Sequence, residues 1–235
     1  MKIRSYSIFS ALLLCVATAT AQSKKDSVKT VMLEVPAGLR VGVDLTRFAI
    51  PFFQPYRRDA TVVLDARYND RIYFAADISY NRTSHSDSNY TYKGSGVGIS
   101  IGANYNLLKK QIPKENFMLY GGFKYGFSLF SYEIPSYTIH STYWGNYQGS
   151  MPSVTKTGHW VELSLGIKVE VLKNLYLGWS LHERILLNSA VAKSDFPPLI
   201  IPGYGKGYKG SAFDMQYTIS YLFPMWKVKQ QMKLK

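Results

Sequence analysis

The sequence has almost no cysteine and, after its first residues, no long apolar segment. Its single cysteine, Cys15, lies in the N-terminal stretch, so a chain that loses this stretch has no thiol for disulfides, cysteine metal sites or thiol catalysis. The rest of the sequence also lacks a run of about 18 apolar residues, which excludes a membrane protein built from spanning helices. A β-barrel is not excluded, because its spanning strands are apolar only at alternate positions.

The first 21 residues have the three parts of a secretory signal peptide. Lys2 and Arg4 form a basic start, residues 8–17 are apolar, and small residues precede Gln22. The apolar part is too short for a spanning helix, which needs about 20 residues. We therefore predict that residues 1–21 are a signal peptide, that residues 22–36 form a periplasmic N-terminal tail, and that the mature protein is exported.

Acidic residues are scarce, with 15 Asp and Glu against 28 Lys and Arg, which gives a formal net charge of +13. A strongly basic chain can bind nucleic acid. An exported protein meets anionic lipid and polysaccharide instead, so we expect no nucleic-acid partner.

Apolar and polar residues alternate in eight segments, which indicates β-strands. The alternation covers residues 39–45, 62–66, 72–80, 97–103, 119–129, 161–169, 175–181 and 213–221. Short connections (69–70, 107–116, 173–174) alternate with longer ones (50–58, 83–93, 134–157, 188–210). Such alternation is typical of outer-membrane barrels. We predict an all-β fold, an eight-stranded antiparallel up-and-down transmembrane β-barrel over residues 37–223, followed by a basic C-terminal tail, residues 224–235.

The two faces of the predicted strands favour a membrane barrel over a soluble lipocalin-like ligand-binding barrel. Large apolar side chains occupy one face, and the interior of eight strands is too narrow for them all. Glycines and nearly balanced charges occupy the other face, as a crowded lumen with internal ion pairs requires. The predicted lumen charge network comprises Arg40, Asp44, Asp65, Arg67, Asp77, Lys124, Glu162, Lys168, Glu170, His182, Arg184 and Asp214. Glu183 falls on the apolar face, so we expect it near the outer rim or at a bulge.

This pattern resembles the small eight-stranded outer-membrane barrels of the OmpA/OmpX type over about residues 37–223. The leader that ends in Ala21-Gln22, followed by a short polar tail, looks more closely like barrel families of Bacteroidota whose function is not characterised. The resemblance is architectural and implies an outer-membrane location. Such barrels often end at an aromatic residue, whereas here a basic tail follows Phe223.

Ser180, His182 and Glu162 fall on the predicted lumen face and have the residue types of a serine hydrolase site. Some eight-stranded outer-membrane barrels modify lipid A in this way. No flanking motif supports the site, the four histidines lack metal-ligand spacing, and the glycine-rich segments fail the context of a nucleotide loop. We predict no enzyme, metal or cofactor, and keep a membrane-embedded lipid A-modifying hydrolase as the alternative.

The long connections carry aromatic and basic residues suited to surface binding. The predicted binding residues are Tyr137, Tyr143, Trp144, Tyr147, Tyr204, Lys206 and Lys209. The alternative is that these aromatics pack against the barrel rim. The leading hypothesis is a monomeric, non-enzymatic outer-membrane protein with a structural or surface-interaction role through its extracellular loops. Its expected partners are outer-membrane lipid and lipopolysaccharide, together with an extracellular glycan or protein.

Overall fold

The chain forms a closed antiparallel barrel. The computed structural model describes residues 30–108, 117–143 and 145–233, so the predicted signal peptide and the start of the predicted N-terminal tail lie outside the described residues. The elements are β1 (Thr30–Asp44), α1 (Thr46–Phe53), β2 (Arg57–Arg67), β3 (Ile72–Ser86), β4 (Tyr90–Asn106), β5 (Phe117–Ile139), β6 (Tyr147–Leu172), β7 (Leu175–Leu186), β8 (Ile200–Ile201), β9 (Gly205–Lys206) and β10 (Ser211–Lys233).

Eight of these strands close the barrel in the order β1-β10-β7-β6-β5-β4-β3-β2, and β8 pairs with β9 in a separate two-stranded sheet. The predicted eight-stranded antiparallel barrel is confirmed. Within the described residues, no helix has the length and apolar character that crossing a membrane would require. The end that carries the tight β2–β3 and β6–β7 turns is called the lower end, and the end that carries α1 is called the upper end.

Side chains alternate between a polar interior and an apolar exterior. On β6, Leu163, Leu165 and Ile167 are 49%, 52% and 44% exposed, whereas Glu162 and Ser164 at the alternate positions are buried. A soluble ligand-binding barrel of the lipocalin type has the opposite arrangement, with its apolar face lining the cavity. The observed polarity therefore contradicts the lipocalin-like alternative.

Inward-facing glycines give the interior side chains room against the barrel wall. A Cβ atom on Gly126 would overlap the indole ring of Trp160, and one on Gly98 would overlap the carbonyl of Pro202. The outward-facing Gly121 has no atom within 4 Å of the corresponding position. The lumen is thus as crowded as the narrow radius of eight strands requires.

Two connections that the sequence suggests are long loops prove to be mostly strand. Residues 83–93 form the upper parts of β3 and β4, and residues 134–157 form most of the upper parts of β5 and β6. Cross-strand contacts hold these extensions together, such as the 3.1 Å hydrogen bond between the hydroxyls of Ser86 and Thr91. Their sequences show little alternation because a hairpin that projects beyond the barrel lacks a single apolar face.

The strand pair at the lower end also passes the predicted boundaries of the barrel. Residues 30–37 of β1 pair with residues 226–233 of β10, and a register shift follows at Ala37/Gly38. Segments predicted as parts of the two tails are therefore a two-stranded ribbon. The indole N–H of Trp226 donates to the carbonyl oxygen of Arg67 at 3.1 Å and ties the ribbon to the barrel.

We predict that Gly126→Ala lowers the free energy of unfolding by about 1–3 kcal/mol, because the added methyl group overpacks the Trp160 ring. Gly121→Ala on the same strand is the matched control and should change this free energy by less than about 0.5 kcal/mol. Denaturant titration of both variants in detergent micelles measures the difference. Equal effects would contradict a crowded lumen.

Candidate functional site

The lower half of the lumen is filled by a cation–aromatic cluster. Arg40 donates from Nε to Oδ1 of Asp65 at 2.5 Å. Its Cζ atom lies 5.0 Å from the ring centroids of both Tyr73 and Tyr176. Lys168 binds the other carboxylate oxygen of Asp65. Both oxygens of this buried carboxylate therefore have a cationic partner, which offsets the cost of removing it from water.

Glu162 is the centre of the upper half of the lumen network. Its Oε2 accepts from Nε of Arg184 at 2.6 Å, and its Oε1 accepts from Nδ1 of His182 at 2.8 Å. Oε1 also lies 3.2 Å from Nζ of Lys124, which pairs in turn with Asp77. Glu162 is 1% exposed. A single carboxylate shielded from water therefore pairs with three basic side chains.

The network continues upward to Arg47, which is not among the residues predicted from the sequence. Arg184 donates from Nη1 to Asp214 at 2.8 Å, and Arg47 of α1 binds the same carboxylate. Arg47 also reaches Asp44 at 2.9 Å. Arg47 lies in a helix, so the two-residue alternation that identifies inward residues of strands does not apply to it. Its spacing of three residues from Asp44, which suits an ion pair, was the available signal in the sequence.

Two predicted members of the network lie at its lower end, near the turns. Arg67 pairs with Asp70 at 3.2 Å, and Oε1 of Glu170 accepts from the backbone N–H of Asn174 at 2.6 Å. Their inward parity is as predicted. At the ends of their strands, turn groups are among their partners, and Cζ of Arg67 also lies 5.7 Å from the ring centroid of Tyr73 in the lumen.

Ser180, His182 and Glu162 form the hydrogen-bonded chain that the sequence suggested. The hydroxyl of Ser180 lies 2.8 Å from Nε2 of His182, and His182 Nδ1 faces Glu162. This is the order of a nucleophile, a base and an orienting acid. All three side chains are 3% exposed or less, and other residues line the small cavities of about 40 and 10 Å³ in the described part of the lumen.

The connection between β7 and β10 folds into the upper mouth as a plug, defined as residues 187–210. Ile201 and Tyr204 are fully buried there and pack in one cluster with Phe130 and Trp160. Burial raises the pKa of Tyr204 to about 12, so its hydroxyl remains a donor, here to the carbonyl of Lys209 at 2.7 Å. The plug thus packs its apolar side chains into the barrel mouth above Glu162.

The predicted binding residues of the β5–β6 hairpin differ in exposure. Tyr143 and Tyr147 are 84% and 61% exposed at the tip of the β5–β6 hairpin. Tyr137 packs beside them against Phe196 of the plug, with ring centroids 5.3 Å apart. Trp144 lies outside the described residues.

Tyr204 differs from the prediction of an exposed binding residue, because its connection turns inward at Gly203, which has a φ of +78°. The flanking glycines of Tyr204 were the available sequence signal for this tight turn. Lys206 and Lys209, which belong to the plug, are exposed.

A slot interrupts the upper barrel wall between β2 and β10. β1 stops at Asp44, so residues 57–61 of β2 pair only with β3, and residues 211–217 of β10 pair only with β7. Helix α1 lies beside the slot. A cleft of about 400 Å³ opens there, with Arg47, Arg57, Lys206, Lys209 and Asp214 in its lining.

The described residues contain no group of three or more His, Cys, Asp or Glu side chains that could hold a metal ion. The cleft is basic and suits an anion, whereas the lumen network satisfies its own charges. Sequence reasoning missed the cleft because residues from a short helix, a strand end and the plug build it together.

The fold and its filled lumen define a small closed β-barrel with an apolar exterior. The chain belongs to the family described as "Domain of unknown function (DUF6048)", whose model matches residues 2–228. No curated protein matches the chain in sequence.

Several solved structures are similar to this barrel. Neisserial surface protein A is 11% identical, with 83% of this chain and 99% of that chain covered and a TM-score of 0.38. Ail, the attachment invasion locus protein of Yersinia pestis, is 7% identical, with 84% and 99% covered and a TM-score of 0.38. CarO of Acinetobacter baumannii is 12% identical, with 80% and 98% covered and a TM-score of 0.40. The resemblance to barrels of Bacteroidota stays a prediction.

We predict that Glu162→Gln lowers the free energy of unfolding by about 3–5 kcal/mol, because it leaves buried cations without their anion. Glu34→Gln is the control. Glu34 faces Lys227 at 3.8 Å, and both side chains are more than half exposed, so its loss should cost at most about 1 kcal/mol. Denaturant titrations of both variants test this, and a Glu162→Gln protein as stable as the control would disprove the role of Glu162.

Proposed function

We propose that the protein is a non-enzymatic outer-membrane barrel that is closed to solutes and acts at its outer surface. The observation that carries the proposal is the inverted polarity of the barrel. Exposed apolar residues recur on every barrel strand, as Phe74, Ile101, Phe123 and Trp179 illustrate. In water, an apolar surface this extensive would make the protein aggregate. In a bilayer, the same surface faces the lipid hydrocarbon, as the outer band of a membrane barrel does.

The upper end is assigned to the cell exterior. Short turns of outer-membrane barrels face the periplasm, and longer connections face outward. Here the β6–β7 turn is tight, with Asn174 at a φ of 65°, while the upper end carries α1, the plug and the tall β5–β6 hairpin. The first and last strands both have their chain ends at the lower side, which this orientation places in the periplasm.

The outward acidic residue Glu183 fits the same orientation. It pairs with Phe213 of β10 and Leu163 of β6 without a register shift, so a bulge does not explain its position. It lies three residues from the upper end of β7. A charge near the rim costs little in a bilayer, in contrast with one at the midplane.

The filled lumen supports a role in structure or surface interaction over a role in transport. The charge network, the lower aromatic cluster and the plug occupy successive levels of the interior. The exposed Tyr143 and Tyr147 at the hairpin tip offer an amphipathic surface for an extracellular glycan or protein. Membrane lipid and lipopolysaccharide are the expected surroundings, and a monomer is the expected state.

Cysteine labelling tests the orientation. We predict that His140→Cys in the upper hairpin reacts with a membrane-impermeant maleimide on intact cells, because this position faces the medium. Lys173→Cys in the β6–β7 turn should react only after the outer membrane is permeabilised. A processed chain offers no competing thiol, since Cys15 lies in the predicted signal peptide. The reverse labelling pattern, or a protein found in the soluble periplasmic fraction, would overturn the proposal.

A lipid A-modifying hydrolase is the second candidate, because the Ser180–His182–Glu162 chain has the necessary order of groups. Its burial favours a structural role. We therefore expect that Ser180→Ala leaves the lipid A mass profile of cells unchanged, whereas a hydrolase would lose its product. A product that is present with wild-type protein and missing with Ser180→Ala would establish the enzyme, provided that both proteins show equal outer-membrane levels.

A further inference from the structure

Helix α1 presents an apolar face away from the protein. Phe52 and Phe53 are 86% and 84% exposed, and Phe48 on the same face is 56% exposed. The opposite face turns Arg47 into the barrel, where it is buried. A short helix with three outward phenylalanines at the barrel rim has the form of an element that lies in a lipid interface.

The slot beside α1 needs polar surroundings. The edges of β2 and β10 have no strand partner along the slot, so backbone groups there lack ladder hydrogen bonds. Tyr217 is the exception, because its N–H donates to Oγ1 of Thr46 and its carbonyl oxygen accepts from the N–H of Leu45. Hydrocarbon cannot satisfy such groups. At the depth of the lipid headgroups, water and polar headgroup atoms can form hydrogen bonds with these backbone groups. Phe213, which is 69% exposed and lines the cleft, marks the adjoining apolar surface.

The cleft in the slot has an excess of positive charge. Arg47 is matched by Asp44 and Asp214, and Arg57 is bound to Asp59. Lys206 and Lys209 are exposed in the lining, and neither makes an ion pair with the described acidic residues. Two cationic groups thus remain for a ligand.

Arg57 provides a second, independent indication that the cleft suits an anion. The residue is 9% exposed, it lines the cleft, and its Nε has no hydrogen-bond partner among the described residues. An unsatisfied guanidinium N–H in a buried position is costly. An oxyanion that enters the cleft would satisfy it, and guanidinium groups bind phosphate oxygens in this way.

We propose that this cleft binds the phosphorylated headgroup of a lipid from the surrounding outer leaflet. Lys206, Lys209 and Arg57 contact the phosphate, and the acyl chains lie along Phe52, Phe53 and Phe213. A volume of about 400 Å³ lies within the range of small-molecule sites. This inference rests on the proposed function, because it requires the upper rim to lie at the outer leaflet.

Native mass spectrometry of the protein in detergent micelles, titrated with bisphosphorylated lipid A, tests the proposal. Lys206→Gln/Lys209→Gln should bind this probe roughly tenfold more weakly than wild type, since two charge-assisted contacts are lost. Lys173→Gln/Lys193→Gln removes the same charge at exposed positions outside the cleft and should bind as wild type. Equal binding by wild type and the Lys206/Lys209 variant would overturn the proposal.

Two further arms identify the source of the phosphate. Phe52→Ser/Phe53→Ser keeps every charge and should still weaken lipid A binding, and inorganic phosphate in excess should not displace the lipid. If inorganic phosphate displaces it completely, or if dephosphorylated lipid A binds equally well, the lipid-headgroup proposal fails. Each variant is accepted only if its unheated band migrates faster than its boiled band, which shows a closed barrel. The cysteine labelling pattern tests the outer-membrane assignment separately, so the two failures are distinguishable.

Discussion

An eight-stranded barrel has room inside for little more than the side chains of its own inward face, and this constraint governs the whole molecule. Large apolar groups are forced outward, where only lipid suits them. Inward positions go to glycines and to polar groups, and the polar groups are stable there only when each has a partner. Glu162 shows how tight the result is, because a single carboxylate connects His182, Arg184 and Lys124.

The same constraint explains which parts of the structure the sequence predicts. A strand between lipid and a packed lumen must alternate, so the barrel strands and the inward parity of Glu162, Ser180 and His182 could be predicted from residue order alone. The hairpin extensions and the lower ribbon have no such pair of environments, and their sequences show no clear period. These segments are strands because each pairs with a neighbouring strand, and an alternating sequence pattern is not required for that pairing.

The cleft could not be predicted for a different reason. It exists because β1 stops at Asp44 while β2 and β10 continue upward. A local sequence pattern does not predict how far one strand extends relative to its neighbour. Lys206 is far in the chain from Arg47 and Arg57 and meets them only where this part of the wall is absent. The inward turn at Gly203, which buries Tyr204, likewise depends on the space that the barrel mouth offers.

The pairing of β1 with β10 has a consequence for how the chain can be connected. The ribbon sets Thr30 directly opposite Lys233, so the two ends of the described chain are neighbours in space. The barrel is therefore a nearly circular string of strands, in which the position of the chain break is arbitrary with respect to strand order. A permuted gene that joins these ends and opens the β6–β7 turn would preserve every strand neighbour, and the seam of the barrel would move to another place in its wall.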